Sequence, residues 1–214
     1  MNLLENDVVQ IANRAIVEWL RDTDKLVVGV DGYPGAGKTS FVDNLLKLNP
    51  RILAVARDDF VIERSAFKKI LDRSEDRSLP FEFDMLDLPR FREFIQTYKN
   101  SQDPRSNVGY NGVTGKIDVE KTYDFSKPIL LVEGVFLFHA GLTNDLWDRR
   151  IFLKGDHTVI GERRVAREKA RWGKEYFPEN HPDSYFRLVM QAYDRYVDMQ
   201  HPKEHADLVL DMTQ

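Results

Sequence analysis

Between Leu26 and Phe41 the chain reads LVVGVDGYPGAGKTSF, and few stretches leave less freedom to the fold around them. A β-branched apolar run, Leu26-Val27-Val28-Gly29-Val30, leads straight into Gly32-Tyr33-Pro34-Gly35-Ala36-Gly37-Lys38-Thr39. This fits G-x-x-x-x-G-K-[ST], the phosphate-binding loop that joins a buried strand to a helix. Glycine at 32, 35 and 37 lets the backbone take positive φ and approach an anion with no Cβ in the way. Successive N–H groups then form a nest, backed by the positive end of the helix that begins near Lys38. Lys38 supplies a mobile charge for the β- and γ-phosphates, and the Thr39 hydroxyl is a ligand for Mg²⁺. A chance match in a chain of this length is expected on the order of 1% of the time. An amphipathic run (Phe41, Leu45, Leu46, Leu48) follows, as the motif requires. The loop residues Gly32, Tyr33, Pro34, Gly35, Ala36, Gly37, Lys38, Thr39 and Ser40 are therefore expected to hold a nucleoside triphosphate.

Composition narrows the partners. A length of 214 residues with 42% hydrophobic and 31% charged residues suits one globular domain with an ample core. A net charge of -4 gives no long-range attraction to nucleic acid or to an anionic membrane, so neither is an expected partner. With no cysteine, disulfides, thiolate catalysis and cysteine-ligated zinc are excluded, and a reducing, cytoplasmic setting is compatible. The first residues, MNLLENDVVQIANRAIVEWLRD, lack the basic leader and continuous apolar core of a signal peptide. No run approaches the length of a membrane span.

Periodicity supplies the other elements. Apolar residues at Val8, Ile11, Ala12, Ala15, Ile16 and Leu20 predict a helix over Leu4 to Leu20, packed at the sheet edge. Ile52 to Ala56 reads as a second buried strand, Phe67 to Leu71 as a short helical piece and Leu86 to Tyr98 as a helix. Asn100 to Pro128 is polar and shows little periodicity, which suggests a functional or mobile stretch. Pro128 to Phe138 (PILLVEGVFLF) reads as a central strand, Arg150 to Leu153 as another, and Ala206 to Met212 as the last. Thr158 to Trp172 predicts an arginine-dense helix and Ser184 to Met199 a second one. Apolar strands alternating with helices imply an α/β fold, a parallel sheet of the P-loop NTP hydrolase type with helices on both faces and a helical lid. The chain is thus expected to be one domain over residues 1–214, with an acceptor-side insert near 80–127 and a lid near 156–178.

Other residues must decide what the loop serves. A guanine-reading N/T-K-x-D and a transporter LSGGQ signature are both absent, and what remains suggests phosphoryl transfer to a small acceptor. Asp58 and Asp59 stand at the carboxyl end of the second strand, where open α/β sheets place their ligands. A carboxylate there could take the proton of an attacking hydroxyl, or it could cap the next helix. Glu133 ends an apolar strand, and a buried charge is costly unless it faces a cation or an arginine; Mg²⁺ would compensate it. Arg164, Arg167 and Arg171 share one helix face, broadened by Arg163, Lys169 and Lys174, and could close over the triphosphate. His201 and His205 are read as surface residues despite their i, i+4 spacing. Phe177, Tyr185, Phe186, Tyr193 and Tyr196 are read mainly as core.

Taken together, GYPGAGKTSF, RDDF, LLVEGVFLF, RRVARE and ADLVL resemble the uridine kinase/phosphoribulokinase family of small-molecule kinases, over about Leu26 to Met212. The resemblance implies that Asp58, the first Asp of D-x-F, is the catalytic base. It also implies that Glu133 lies near the metal and that Arg164 and Arg167 contact phosphate groups. A substrate-side Asp is matched best by Asp84, with Asp87 the alternative. Where uridine kinases carry Y-D-F-x-x-H-x-R, this chain has Tyr110-Asn111-Gly112-Val113-Thr114-Gly115-Lys116, keeping only the Tyr. The expected activity is transfer of the γ-phosphoryl group of ATP, with Mg²⁺, to a hydroxyl of a small metabolite. Asp58, Lys38, Arg164 and Arg167 would be catalytic, Thr39 and Glu133 metal ligands, and Asp84, Tyr110 and Arg164 on the acceptor side. The alternatives are an acceptor of pantothenate or sugar type, or an ATP-binding regulatory module.

Overall fold

The computed structural model describes residues 3–155, 161, 165–166, 169, 177–178, 181 and 184–212. Five strands form the main sheet: β1 (Leu26–Gly32), β2 (Ile52–Ala56), β5 (Ile129–Glu133), β6 (Arg149–Lys154) and β7 (Leu208–Asp211). Their order is β2-β5-β1-β6-β7, and every neighbouring pair runs parallel. All seven residues of β1 are buried, as an interior strand covered on both faces requires.

Side chains alternate across that sheet with period two. Val28, Ile52, Leu131 and Ile151 join one core with α1 (Leu3–Trp19) and α2 (Lys38–Leu48), through Ala12, Ile16, Phe41 and Leu45. Val27, Leu53, Leu130 and Phe152 join the other with α5 (Leu88–Asn100) and a late helix, α6 (Tyr185–Gln200), through Phe91, Phe94, Tyr193 and Tyr196. In α1 the buried stripe is Val9, Ala12 and Ile16, while Ile11, expected on that face, is exposed. Two short helices, α3 (Arg64–Leu71) and α4 (Leu79–Phe83), fill the path from β2 to α5.

Two expectations need correction. Residues 100–128 are not an unstructured stretch. β3 (Arg105–Tyr110) and β4 (Ile117–Tyr123) form an antiparallel hairpin with an irregular register at Gly109/Tyr110. Its turn is closed by Asn111 N–H to Lys116 O at 2.7 Å and Gly115 N–H to Asn111 O at 2.8 Å. Burial alternates between half-buried and exposed positions along both strands, but in β3 the half-buried face begins with Arg105 and Asn107, which hides the alternation from an apolar period. The apolar run from Pro128 to Phe138 is likewise not one strand. Pairing ends at Glu133, and the chain then turns, with Phe136 at φ 61°. The Leu137 N–H is drawn off the sheet to the carboxylate of Asp31 at 2.9 Å.

The predicted lid helix at 158–172 lies almost entirely outside the described residues; Gly161, Val165, Ala166 and Lys169 are helical. Among the described residues, no helix is long and apolar enough to cross a membrane.

Candidate active site

Because the strands are parallel, the carboxyl ends of β1, β2 and β5 lie along one edge of the sheet. Val30 and Ala56 both pair with Glu133, so the loop after β1, the turn after β2 (Arg57–Phe60) and Glu133 converge there. A cavity of about 400 Å³ opens at this edge.

One end of the cavity is the loop. Gly35 (φ 100°) and Gly37 (φ 88°) occupy the left-handed region, where a Cβ would strain the backbone. Gly37 caps α2 without any side-chain hydrogen bond, which leaves the helix start to backbone groups alone. Pro34, Gly35, Gly37, Lys38, Thr39 and Ser40 line this end. Gly32, Tyr33 and Ala36 do not. The carbonyls of Gly32 and Tyr33 instead accept from the Lys38 ammonium at 2.6 and 3.0 Å and hold it across the loop. The Tyr33 ring packs on Tyr193 at 4.5 Å, and its hydroxyl reaches Asp194 at 3.2 Å.

Glu133 and Thr39 meet at the centre, the hydroxyl donating to Glu133 Oε1 at 3.1 Å. Burial pushes the Glu133 carboxyl up, with Lys38 pulling it down and Asp58 adding to the rise. A cation placed there would relieve that cost. Two hard oxygen donors suit Mg²⁺, which is held by one or two protein ligands together with substrate phosphates. Among the described residues no group of three or more His, Cys, Asp or Glu side chains could hold a metal by itself.

The adjacent carboxylates of the β2 turn separate cleanly. Asp58 is exposed and lines the cavity. Asp59 is buried; it accepts from the Lys121 ammonium at 2.6 Å and the Tyr123 hydroxyl at 3.1 Å, and Arg90 binds its carbonyl at 2.9 Å. Asp59 thus ties the β3–β4 hairpin to the β2 turn. Ile62, Phe67, Phe81, Met85 and Val189 give the cavity an apolar wall, and Tyr110 and Arg64 also line it. Arg64 is engaged with the hairpin turn, donating to Gly112 O at 2.7 Å and Val113 O at 3.4 Å.

Asp84 is exposed after α4 and is not among the lining residues. Its alternative, Asp87, caps α5 by accepting from Arg90 N–H at 3.2 Å. Arg164 and Arg167, with Arg163, Arg171 and Lys174, lie outside the described residues.

Two charged residues escaped the sequence reading. Asp31 is fully buried and accepts from Gly32 N–H (2.6 Å), Leu137 N–H (2.9 Å), Tyr193 (3.0 Å) and Tyr196 (2.6 Å). Burial pushes its carboxyl up, opposed by the Tyr196 hydroxyl and by Lys38. It fixes the exit from β1 into the loop and binds that exit to α6. Its signal was a carboxylate inside an otherwise apolar strand. Arg57 is also buried and lines the cavity; burial pulls its guanidinium down, while Asp58 and Asp31 hold it up.

A parallel sheet whose first strand ends in a glycine-rich, lysine-bearing loop, with a carboxylate across the same cavity, defines a P-loop phosphotransferase architecture. The chain belongs to the phosphoribulokinase/uridine kinase family, whose model matches residues 27–214. It is 23% identical over 186 residues to the uridine kinase of Borreliella burgdorferi (strain ZS7), covering 86% of this chain and 85% of that one. With the uridine kinase of Streptococcus mutans it shares 25% over 190 residues, 86% of each chain. The solved structure of a possible uridine kinase from Bacillus stearothermophilus has the same fold: TM-score 0.72 at 18% identity, over 96% of this chain and 98% of that one. Members of this family are small-molecule kinases that phosphorylate a hydroxyl, and this chain is a kinase of that kind.

Proposed function

We propose that this chain moves the γ-phosphoryl group of ATP onto a hydroxyl of a small metabolite, with Asp58 as the base that receives the hydroxyl proton. The observation that carries this reading is one cavity lined by Lys38 and the loop, by Glu133, by Asp58 and by an apolar wall. Such a cavity brings donor and acceptor together in one enclosure, which removes much of the entropic cost of their encounter. Thr39 and Glu133 would hold Mg²⁺, which when bound neutralises charge on the β- and γ-phosphates. Lys38, leaving the Gly32 and Tyr33 carbonyls, balances the remaining negative charge. The apolar wall with Tyr110 takes the body of the acceptor and keeps water from the phosphoryl group. Arg164 and Arg167 are proposed to close from the lid. A cytoplasmic setting, where ATP and Mg²⁺ are abundant, fits this chemistry.

The test is ADP formation from ATP·Mg with and without a panel of nucleosides, sugars and pantothenate. Acceptor-dependent ADP supports the reading, with uridine the first compound to try because of the named relatives. Nucleotide binding with no stimulation by any member of the panel sinks it and leaves a regulatory module. Lys38→Ala is expected to abolish turnover while circular dichroism and the unfolding midpoint stay near those of the wild type.

A further inference from the structure

Arg57 precedes the proposed base by one residue and is only 2% exposed. Its stem packs so closely on Gly134 that a Cβ added there would lie 2.6 Å from the Arg57 Cβ. Its guanidinium sits over the Phe136 ring, 5.7 Å from the centroid, and the side chain lines the cavity. Nη1 is buried with no hydrogen-bond partner. Arg90 and Arg195 also bury a nitrogen without a hydrogen-bond partner, but both reach carboxylates, at 3.7 and 2.8 Å. Arg57 forms no such pair among the described residues; Asp58 and Asp31 act on it only through space. A buried guanidinium in that state is costly unless something negative completes it.

We propose that Arg57 binds an oxyanion carried by the acceptor, so that the compound phosphorylated is an anionic one bearing a carboxylate or a phosphate beside its hydroxyl. This rests on the phosphotransferase reading above. Phosphates of the nucleotide already have Lys38 and the amides of the loop. Arg57 flanks Asp58, and a negatively charged acceptor could not approach that carboxylate without a cation between them. The apolar wall offers none, and Arg64 is engaged with the hairpin turn. A guanidinium also suits the planar, forked geometry of carboxylate and phosphate better than an ammonium does.

The experiment pairs each neutral hydroxyl compound with an anionic counterpart: glycerol with glycerate and glycerol 3-phosphate, ribose with ribose 5-phosphate, uridine with its 5′-phosphate. Turnover is measured on the wild type, Arg57→Gln and Arg57→Lys. The thermal midpoint is measured with each compound on protein saturated with ADP·Mg, so that the loop is occupied. The expected result is preference for at least one anionic member. Arg57→Gln should raise the KM for that compound roughly 10- to 100-fold with the KM for ATP·Mg unchanged, and Arg57→Lys should recover part of the loss. If Arg57→Gln fails to fold, the wild-type panel and Arg57→Lys decide. Turnover of neutral compounds but not of their anionic partners overturns the inference and leaves the kinase reading intact. A rise in the KM for ATP·Mg alone also overturns it, assigning Arg57 to the nucleotide. With no turnover at all, a midpoint raised by an anion in the wild type but not in Arg57→Gln upholds the anion site and sinks the catalytic reading. No shift with any anion overturns the site itself.

Discussion

Asp58 and Asp59 are chain neighbours with opposite surroundings, one open to the cavity and the other closed by Lys121 and Tyr123. A base must reach a substrate hydroxyl, and Asp59 is buried and does not line the cavity. Asp58→Asn is therefore expected to lower kcat by about 10²- to 10⁴-fold with the KM for ATP nearly unchanged, read by steady-state kinetics under conditions where chemistry limits the rate. Near-normal turnover would remove the assignment. Asp31 gives a second prediction. Its folded-state pKa stands above the unfolded value near 3.8, so its contribution to stability is greatest in acid and is lost as pH rises through the folded value. Against Asp31→Asn, which does not titrate, the wild type should lose relative stability as pH is raised from about 4 toward neutrality. Urea unfolding of both proteins across that range checks the sign.

Among the elements, the β3–β4 hairpin differs most from what its sequence suggested. Its strands bury little apolar area, and a two-stranded ribbon is marginal by itself. It is held by polar ties: Lys121 and Tyr123 to Asp59, Arg90 to Val108 O and Asp59 O, and Arg64 to the turn. Lys121→Met keeps the stem and removes the charge that faces the buried Asp59. It should loosen the hairpin, giving faster amide exchange in residues 105–123 and a several-fold higher KM for the acceptor, while exchange in β1 and β5 stays unchanged. Equal exchange in the hairpin would show that the ion pair does not hold it.

The molecule as a whole couples the site to both cores, since β1 is buried along its full length and delivers the loop. Any ligand of the native loop must then stabilise the entire fold: ATP·Mg at 100 times its Kd should add about 2.7 kcal/mol to unfolding, and Lys38→Ala should lose most of that gain. Isothermal chemical unfolding with and without ATP·Mg measures both. The loop, the interior strands and the helices on either face were legible in the sequence because each is a local matter: a motif of fixed spacing, a run of β-branched residues, a 3.6-residue period. Asp58 as a candidate was legible for the same reason, as the residue following a buried strand.

What the chain order could not supply was every relation between distant residues. The strand order β2-β5-β1-β6-β7, the three distant groups that converge on Asp31, the locking of Asp59 by hairpin residues more than sixty positions later and the seating of Arg57 against Gly134 all depend on which surfaces come together when the sheet closes. A sequence states which residues are apolar and where glycine permits a turn. Which buried charges find partners, and which is left facing the cavity, follows only from packing, because desolvation and hydrogen bonding act on neighbours in space.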